Sequence, residues 1–272
     1  MKKNGVLTIF LIFILLIWLW LFVFFGIGLI KEEETSQKIK FTLYGHRGLL
    51  NKAPENTRLA YEAAVHAGLG GIELDVVQTK DGEIICSHNF DLERETNGFG
   101  YIYNKIWSDL KNLNIATYRV GEMERIPTLM DVLEQLPIDY IINIEIKTHK
   151  ILDISTATKV AKIIQRKNRH KTTLVSSFNP VSLRRVKCVD PKIKTGFLVE
   201  NRRMILFTPL SRADYLHPRA DVFNNQTMDY CGRNRLGTNI WTVNSGPGIA
   251  FFRKRGVDGI ITDYPEVNPI EI

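Results

Sequence analysis

Cysteine is scarce in this chain of 272 residues: there are three, Cys86, Cys188 and Cys231. An odd, widely spaced set excludes a disulfide framework and lacks the paired spacing of a structural zinc site. Cys86 stands two residues before His88, yet within "EIICSH" it reads as an apolar strand residue, not as half of a metal site. No internal repeat and no low-complexity tract occurs beyond the N-terminus, which excludes solenoids and arrays. Basic runs interleaved with aromatics are also missing. The net charge of +7 therefore does not describe a nucleic-acid surface. Residues 1–34 hold three Lys and three Glu, so the surplus belongs to the rest of the chain. Such a basic surface either draws towards anionic headgroups or is a solvated face.

Charge is absent altogether from Gly5 to Ile30, and Val6 to Phe25 is almost wholly Leu, Ile, Phe, Val and Trp. About 20 such residues span a bilayer core, whereas a signal peptide has a shorter apolar region of roughly 7–15 and a small-residue cleavage site. The expectation is an uncleaved single-pass transmembrane helix over 5–30, ahead of a cleaved signal or a buried soluble helix. Residues 1–4 form a short basic N-terminus, and the polar "KEEETSQK" of 31–38 a linker. Lys2 and Lys3 before the span outnumber Lys31 after it, which favours a cell-membrane protein with the following domain on the non-cytoplasmic side.

From residue 39 to 272, short β-rich runs alternate with helical patterns. "KFTLYGH", "GIELDVV", "IINIEIK", "TTLVSSF", "KTGFLVE", "DYLHP", "NIWTVN" and "DGIITDY" read as strands, with helices such as "ENTRLAYEAAVHAG" between them. Strands alternating with helices pair in parallel, and about eight such units fit a (β/α)8 TIM-type barrel better than an open sheet. Residues 79–126 break the rhythm. They include the hairpin-like "TKDGEIICSH" and read as a small inserted subdomain after the second strand.

In a strand, residues i and i+2 share a face. Glu73 and Asp75 of "IELD" therefore point one way, as do Asn143, Glu145 and Lys147 of "NIEIK". Charges inside a barrel are costly unless paired or bound to metal. Three carboxylates converging at strand ends make an oxygen site for Mg²⁺ or Ca²⁺; ion pairing of Glu145 with Lys147 or Glu73 with Arg47 is the plain structural alternative. His46 ends the first strand and His88 the inserted hairpin. Two such histidines are the parts of a general base and a general acid, whereas His66, His149 and His170 read as structural. Arg47 offers a planar fork to phosphate oxygens and Lys147 a point charge. Together these residues describe metal-assisted cleavage of a phosphodiester.

The strings "HRG", "PENT", "GIELDV", "T.DG..I..H", "L.R.TN", "IP.L..VL", "NIEIK", "SSF", "WTVN" and "GVDGIITDYP" run in order over residues 41–266. As a set they resemble the glycerophosphodiester phosphodiesterase family. The resemblance implies a barrel with a small insertion that hydrolyses glycerophosphodiesters to an alcohol and glycerol 3-phosphate. It implies metal ligation by Glu73, Asp75 and Glu145, catalysis by His46 and His88, and phosphate binding by Arg47, with Lys147 in the pocket. Trp241 is expected to wall the substrate side, and His217 is a weaker pocket candidate. The family usually carries an acid after the second histidine where this chain has Asn89; a changed environment around His88 or lower activity is expected. Glu95, where a small residue is common, is a milder departure. Two alternatives accompany this reading: a lysophospholipase D acting on membrane lysophospholipids, and a non-catalytic phosphodiester-binding module.

Overall fold

The computed structural model describes residues 3–25, 41–115 and 123–264. The expected linker 31–38, the end of the expected anchor at 26–30 and residues 116–122 of the expected insertion lie outside them. The chain divides into two compact units, Met1–Lys38 and Ile39–Ile272. In the first, α1 runs over Lys3–Phe25, 23 residues, and exposes its large apolar side chains from Leu7 to Trp18. That stretch is about 18 Å long at 1.5 Å per residue. Among the described residues no helix is long and apolar enough to cross a membrane, so the expected anchor rests on the sequence.

The second unit is a closed barrel. Its parallel strands are β1 (Thr42–Gly45), β2 (Gly71–Gln78), β4 (Ile141–Ile146), β5 (Thr173–Ser177), β6 (Lys194–Val199), β7 (Tyr215–Pro218), β8 (Gly237–Ile240) and β9 (Gly259–Thr262). Pairing of β1 with both β2 and β9 closes the ring, Tyr44 lying opposite Gly71 and Gly45 opposite Thr262. The short β3 (Ile84–Cys86) pairs antiparallel with the end of β2. Around the ring lie α2 (Arg58–His66), α3 (Trp107–Leu110), α4 (Leu129–Gln135), α5 (Ser155–Arg166), α6 (Pro180–Val189), α7 (Thr208–Ser211), α8 (Asn225–Arg233) and α9 (Gly246–Lys254).

Local chemistry starts and stops these helices. Thr57 caps α2 by accepting from the Ala60 N–H at 3.2 Å. Thr128 and Asp131 form a reciprocal capping box on α4. The far end of α4 is held by Arg169, which is almost wholly buried. Its guanidinium donates to Pro137 O at 2.7 Å, to Leu133 O at 2.8 Å and to Leu136 O. A cation there also meets the negative end of the helix.

The alternation read from the sequence separates two environments. Ile72, Leu74, Val76, Ile142, Ile144 and Ile146 join the core between strands and helices, while Glu73, Asp75, Asn143 and Glu145 lie on the opposite faces of β2 and β4. The barrel interior is filled by pairing large side chains with glycines. A Cβ on Gly196 would stand 2.3 Å from His217 Nε2, and one on Gly237 would stand 2.2 Å from Tyr215 Cε1.

Between β2 and α4 the chain builds a satellite core of its own, in which Val77, Ile85, Leu92, Ile102 and Leu110 meet. The β2–β3 hairpin seats it on the barrel rim, with Gly82 at φ +92° making the turn.

Gly196→Ala and Gly237→Ala are each expected to destabilise the domain by about 1–3 kcal/mol through overpacking. Gly232→Ala, in α8 with no atom within 4 Å of the added carbon, serves as the control. A glycine removed from a helix is expected to leave stability unchanged or raise it by up to ~1 kcal/mol. Urea unfolding of the three variants checks the contrast.

Candidate active site

The carboxyl ends of β1, β2, β4 and β9 bring the polar residues together. Asp75 and Glu145 lie opposite each other in the β2–β4 register, as do Glu73 and Asn143. Glu73 and Asp75 are 2% and 1% exposed. One carboxylate oxygen from each of Glu73, Asp75 and Glu145 lies within 4.8 Å of the others. Burial, and then the charge of Asp75, pushes Glu73 up to about 8 and Glu145 up to about 7. The donor set is all oxygen and holds neither sulfur nor imidazole, the chemistry that suits a hard divalent cation. Asn143 is buried beside it with neither amide atom hydrogen-bonded. The residues present therefore fit such an ion.

The turn after β1 is shaped to serve these carboxylates. Arg47 has φ 55°, which aims its backbone N–H at Glu73 Oε2, 3.0 Å away. Its side chain lies with Nε 3.4 Å from Asp75 Oδ2 and Nη1 2.8 and 2.9 Å from the two oxygens of Glu55. Asn56, wholly buried, donates to Asp75 Oδ2 at 3.1 Å and accepts from the Asp75 N–H at 3.0 Å. In "PENT", then, Glu55 holds the arginine, Asn56 holds the aspartate and Thr57 starts α2. Lys147 follows β4 and lies 3.1 Å from Glu145 Oε1 and 3.6 Å from Asp75 Oδ1.

The two histidines differ in their surroundings. His46 follows β1, its Nδ1 2.5 Å from Asp263 Oδ1 and its Nε2 4.0 Å from Glu73 Oε2. Asp263 follows β9 and is itself held by the Asn244 amide at 2.6 Å. Burial alone would lower the His46 pKa, but the bond to Asp263 and the charge of Glu73 outweigh it and raise it. His88 follows β3, with Nδ1 3.3 Å from Asn89 Oδ1. There burial prevails and the pKa is lowered. The surroundings thus push the two imidazoles in opposite directions.

Trp241 stands outside this net of contacts. It follows β8 at the same end of the barrel, donating from Nε1 to His217 O at 2.7 Å and meeting the edge of Phe178 at 5.6 Å. His217 is buried in the barrel interior, accepting from Asn239 at 3.1 Å, and burial pushes it down to about 3. It is a neutral structural residue. His149 is exposed and stacks on Tyr103 with ring centres 4.3 Å apart.

Glu55, Asn56 and Asp263 join the site without having been singled out for it. Their signals were present: Glu55 and Asn56 lie in "PENT", and Asp263 follows the last strand as His46 follows the first.

Barrel enzymes keep their chemistry at this end of the strands. An arginine beside three carboxylates and two histidines has the make-up of a barrel site for phosphate esters. Comparison with known proteins narrows that class. Residues 46–267 match the glycerophosphoryl diester phosphodiesterase family, and the chain belongs to it. It is 37% identical over 237 residues to a glycerophosphodiester phosphodiesterase of Caldanaerobacter subterraneus, covering 84% of this chain and 96% of that one. A phosphodiesterase of Oleispira antarctica, solved with the product sn-glycerol-3-phosphate, is similar with a TM-score of 0.77 and 25% identity, over 85% of this chain and 97% of that one. The glycerophosphodiester phosphodiesterase of Thermotoga maritima is similar at 0.68 and 28%, over 85% and 98%.

The raised carboxyls make stability depend on pH. Glu73 and Glu145 hold protons in the folded domain well above 4.5, the value of an ordinary glutamate. The folded state therefore binds more protons than the unfolded chain between about pH 4.5 and 8, and stability falls as pH rises through that window. The thermal midpoint of the metal-free protein is expected to drop from pH 5 to pH 8, less steeply in Glu73→Gln. Added Mg²⁺ or Ca²⁺, which binds in competition with those protons, is expected to raise the midpoint more at pH 8 than at pH 5.5.

Proposed function

We propose that the chain hydrolyses glycerophosphodiesters to an alcohol and glycerol 3-phosphate, with a divalent cation, Mg²⁺ or Ca²⁺, held by Glu73, Asp75 and Glu145. The observation that carries the reading is the meeting of that oxygen triad with Arg47 and two oppositely tuned histidines. When bound, the cation polarises a phosphoryl oxygen. Arg47 and Lys147 bind and orient the phosphate against the carboxylates that hold them. His88, held neutral, takes the proton from the attacking oxygen at Nε2. His46, held protonated by Asp263, delivers its Nε2 proton to the leaving alkoxide. Asp263 keeps the other His46 proton on Nδ1, so Nε2 faces the scissile bond.

The active form then has His88 neutral and His46 charged. Plotted against pH, kcat/KM is expected to form a bell, with its acid limb below 6.5 and its alkaline limb above. Asp263→Asn removes the group that raises His46. It should move the alkaline limb down and cost part of the ~10²–10⁴-fold that a placed acid supplies. An unmoved limb would reassign the acid.

The first assay is release of glycerol 3-phosphate from glycerophosphocholine by the full chain in detergent, with EDTA and then with either cation. Metal-dependent release is the expected result. His46→Ala and Glu73→Ala should abolish it while circular dichroism stays native, and wild-type rates from either would overturn the site. Folded protein that binds substrate without turnover would favour the binding module.

The uncharged stretch Gly5–Ile30, with Lys2 and Lys3 ahead of it, supports a single-pass anchor with the barrel on the outer side of the cell membrane. An anchored domain meets substrates still in the bilayer, which favours lysophospholipid cleavage as the second reading. Choline release from lysophosphatidylcholine vesicles, set against glycerophosphocholine, separates the two.

A further inference from the structure

The contact between His88 and Asn89 continues outward. On its other side the Asn89 amide donates from Nδ2 to Glu95 Oε1. Glu95, partly buried, has a carboxylate oxygen within 4.8 Å of one of Glu55, and both oxygens of Glu55 grip Arg47. A line of polar groups thus runs from the imidazole of His88 through Asn89, Glu95 and Glu55 to the guanidinium of Arg47.

Two carboxylates this close repel unless one of them carries a proton. Glu55 is committed to a cation, so Glu95 is the member that carries the proton, and burial and the Glu55 charge both raise its pKa. Ligand atoms of Glu55, His88 and Glu95 lie within 4.8 Å of one another. A metal ion among them would have to pull Glu55 from Arg47 and break the Asn89 bond. A proton requires neither.

The direction of the chain sets the tautomer of the ring. With its N–H end turned to Glu95, Asn89 presents oxygen to His88 Nδ1, which must then be the protonated nitrogen. Nε2 is left with its lone pair.

We propose that Glu95 is a positioning residue for phosphodiester cleavage: through Asn89 it holds His88 as the Nδ1–H tautomer, with Glu55 and the Arg47 it grips on its other side. The inference rests on the roles given above to His88 and Arg47. Asp75 of β2, Lys147 after β4, Arg47 after β1 and Glu55 ahead of α2 also face the ring. All are left in place by the test.

The test compares Glu95→Ala, Glu95→Gln, Asn89→Ala and the double alanine variant in the full chain. Glutamine reproduces a protonated glutamate, accepting at one end and donating at the other. Glu95→Ala should lower kcat on the order of 10–100-fold, a share of the ~10²–10⁴-fold of a placed base, with KM little changed and the acid limb displaced. Glu95→Gln should recover most of that loss. Asn89→Ala should match Glu95→Ala, and the double variant should add little, as expected of residues acting in series. Wild-type kcat in Glu95→Ala overturns the proposal, and so does Glu95→Gln as impaired as Glu95→Ala, which would mean a charge or a metal at 95. Imidazole ¹⁵N spectra read the tautomer without turnover. His88 should show a protonated Nδ1 in wild type and lose that preference in Glu95→Ala, and no change sinks the proposal. Should the wild-type protein lack activity, the functional reading fails alone while the spectra still decide this one.

Discussion

A negative charge cannot stand alone behind walls of isoleucine and leucine, and this barrel puts three carboxylates there. Removing each from water costs several kcal/mol unless partners replace the lost hydration. Much of the upper barrel is arranged by that constraint. Arg47 and Asn56 both take left-handed backbone, at φ 55°, a conformation that costs on the order of 1–3 kcal/mol for a residue other than glycine. In return a main-chain N–H reaches Glu73, and an amide reaches Asp75 by two bonds. Lys147 arrives from the neighbouring strand. Even so burial and the charge of Asp75 make Glu73 and Glu145 resist ionising.

The carboxylate triad was legible because it depends only on strand period. Glu73, Asp75 and Glu145 were placed on inward faces by counting in twos, and the register Asp75 opposite Glu145 is set once β2 and β4 are neighbours. The alternating elements told of a barrel for the same reason: a local period repeated eight times. The insertion was visible as an interruption. Its satellite core, however, draws on Val77 and Ile85 of the hairpin, so where it takes hold of the barrel could not be counted off along the chain.

Partnerships across the chain were less legible. Asp263 and His46 are 217 positions apart, and only closure of the ring by β1 and β9 makes them neighbours. Once a closed barrel is accepted, the residue just past its last strand becomes a natural partner for the one just past its first. Glu55 and Asn56 were hidden differently. A Pro-Glu-Asn-Thr sequence announces a turn and a helix start so clearly that second uses for its middle residues go unasked. Asn89 and Glu95 were each noted as departures, Asn89 as a weaker support for His88. The structure makes them a bonded pair, and pairing is a property that residues read singly do not show.

Because Asp263 directly follows β9, the strand that seals the ring also brings His46 its partner. A nascent chain that has folded every element up to α9 would hold the carboxylates, the arginine and both histidines. It would still lack Asp263 and the backbone carbonyl of Thr262 that receives the His46 N–H at 2.9 Å. Closing the ring and completing the surroundings of His46 are thus one event in folding.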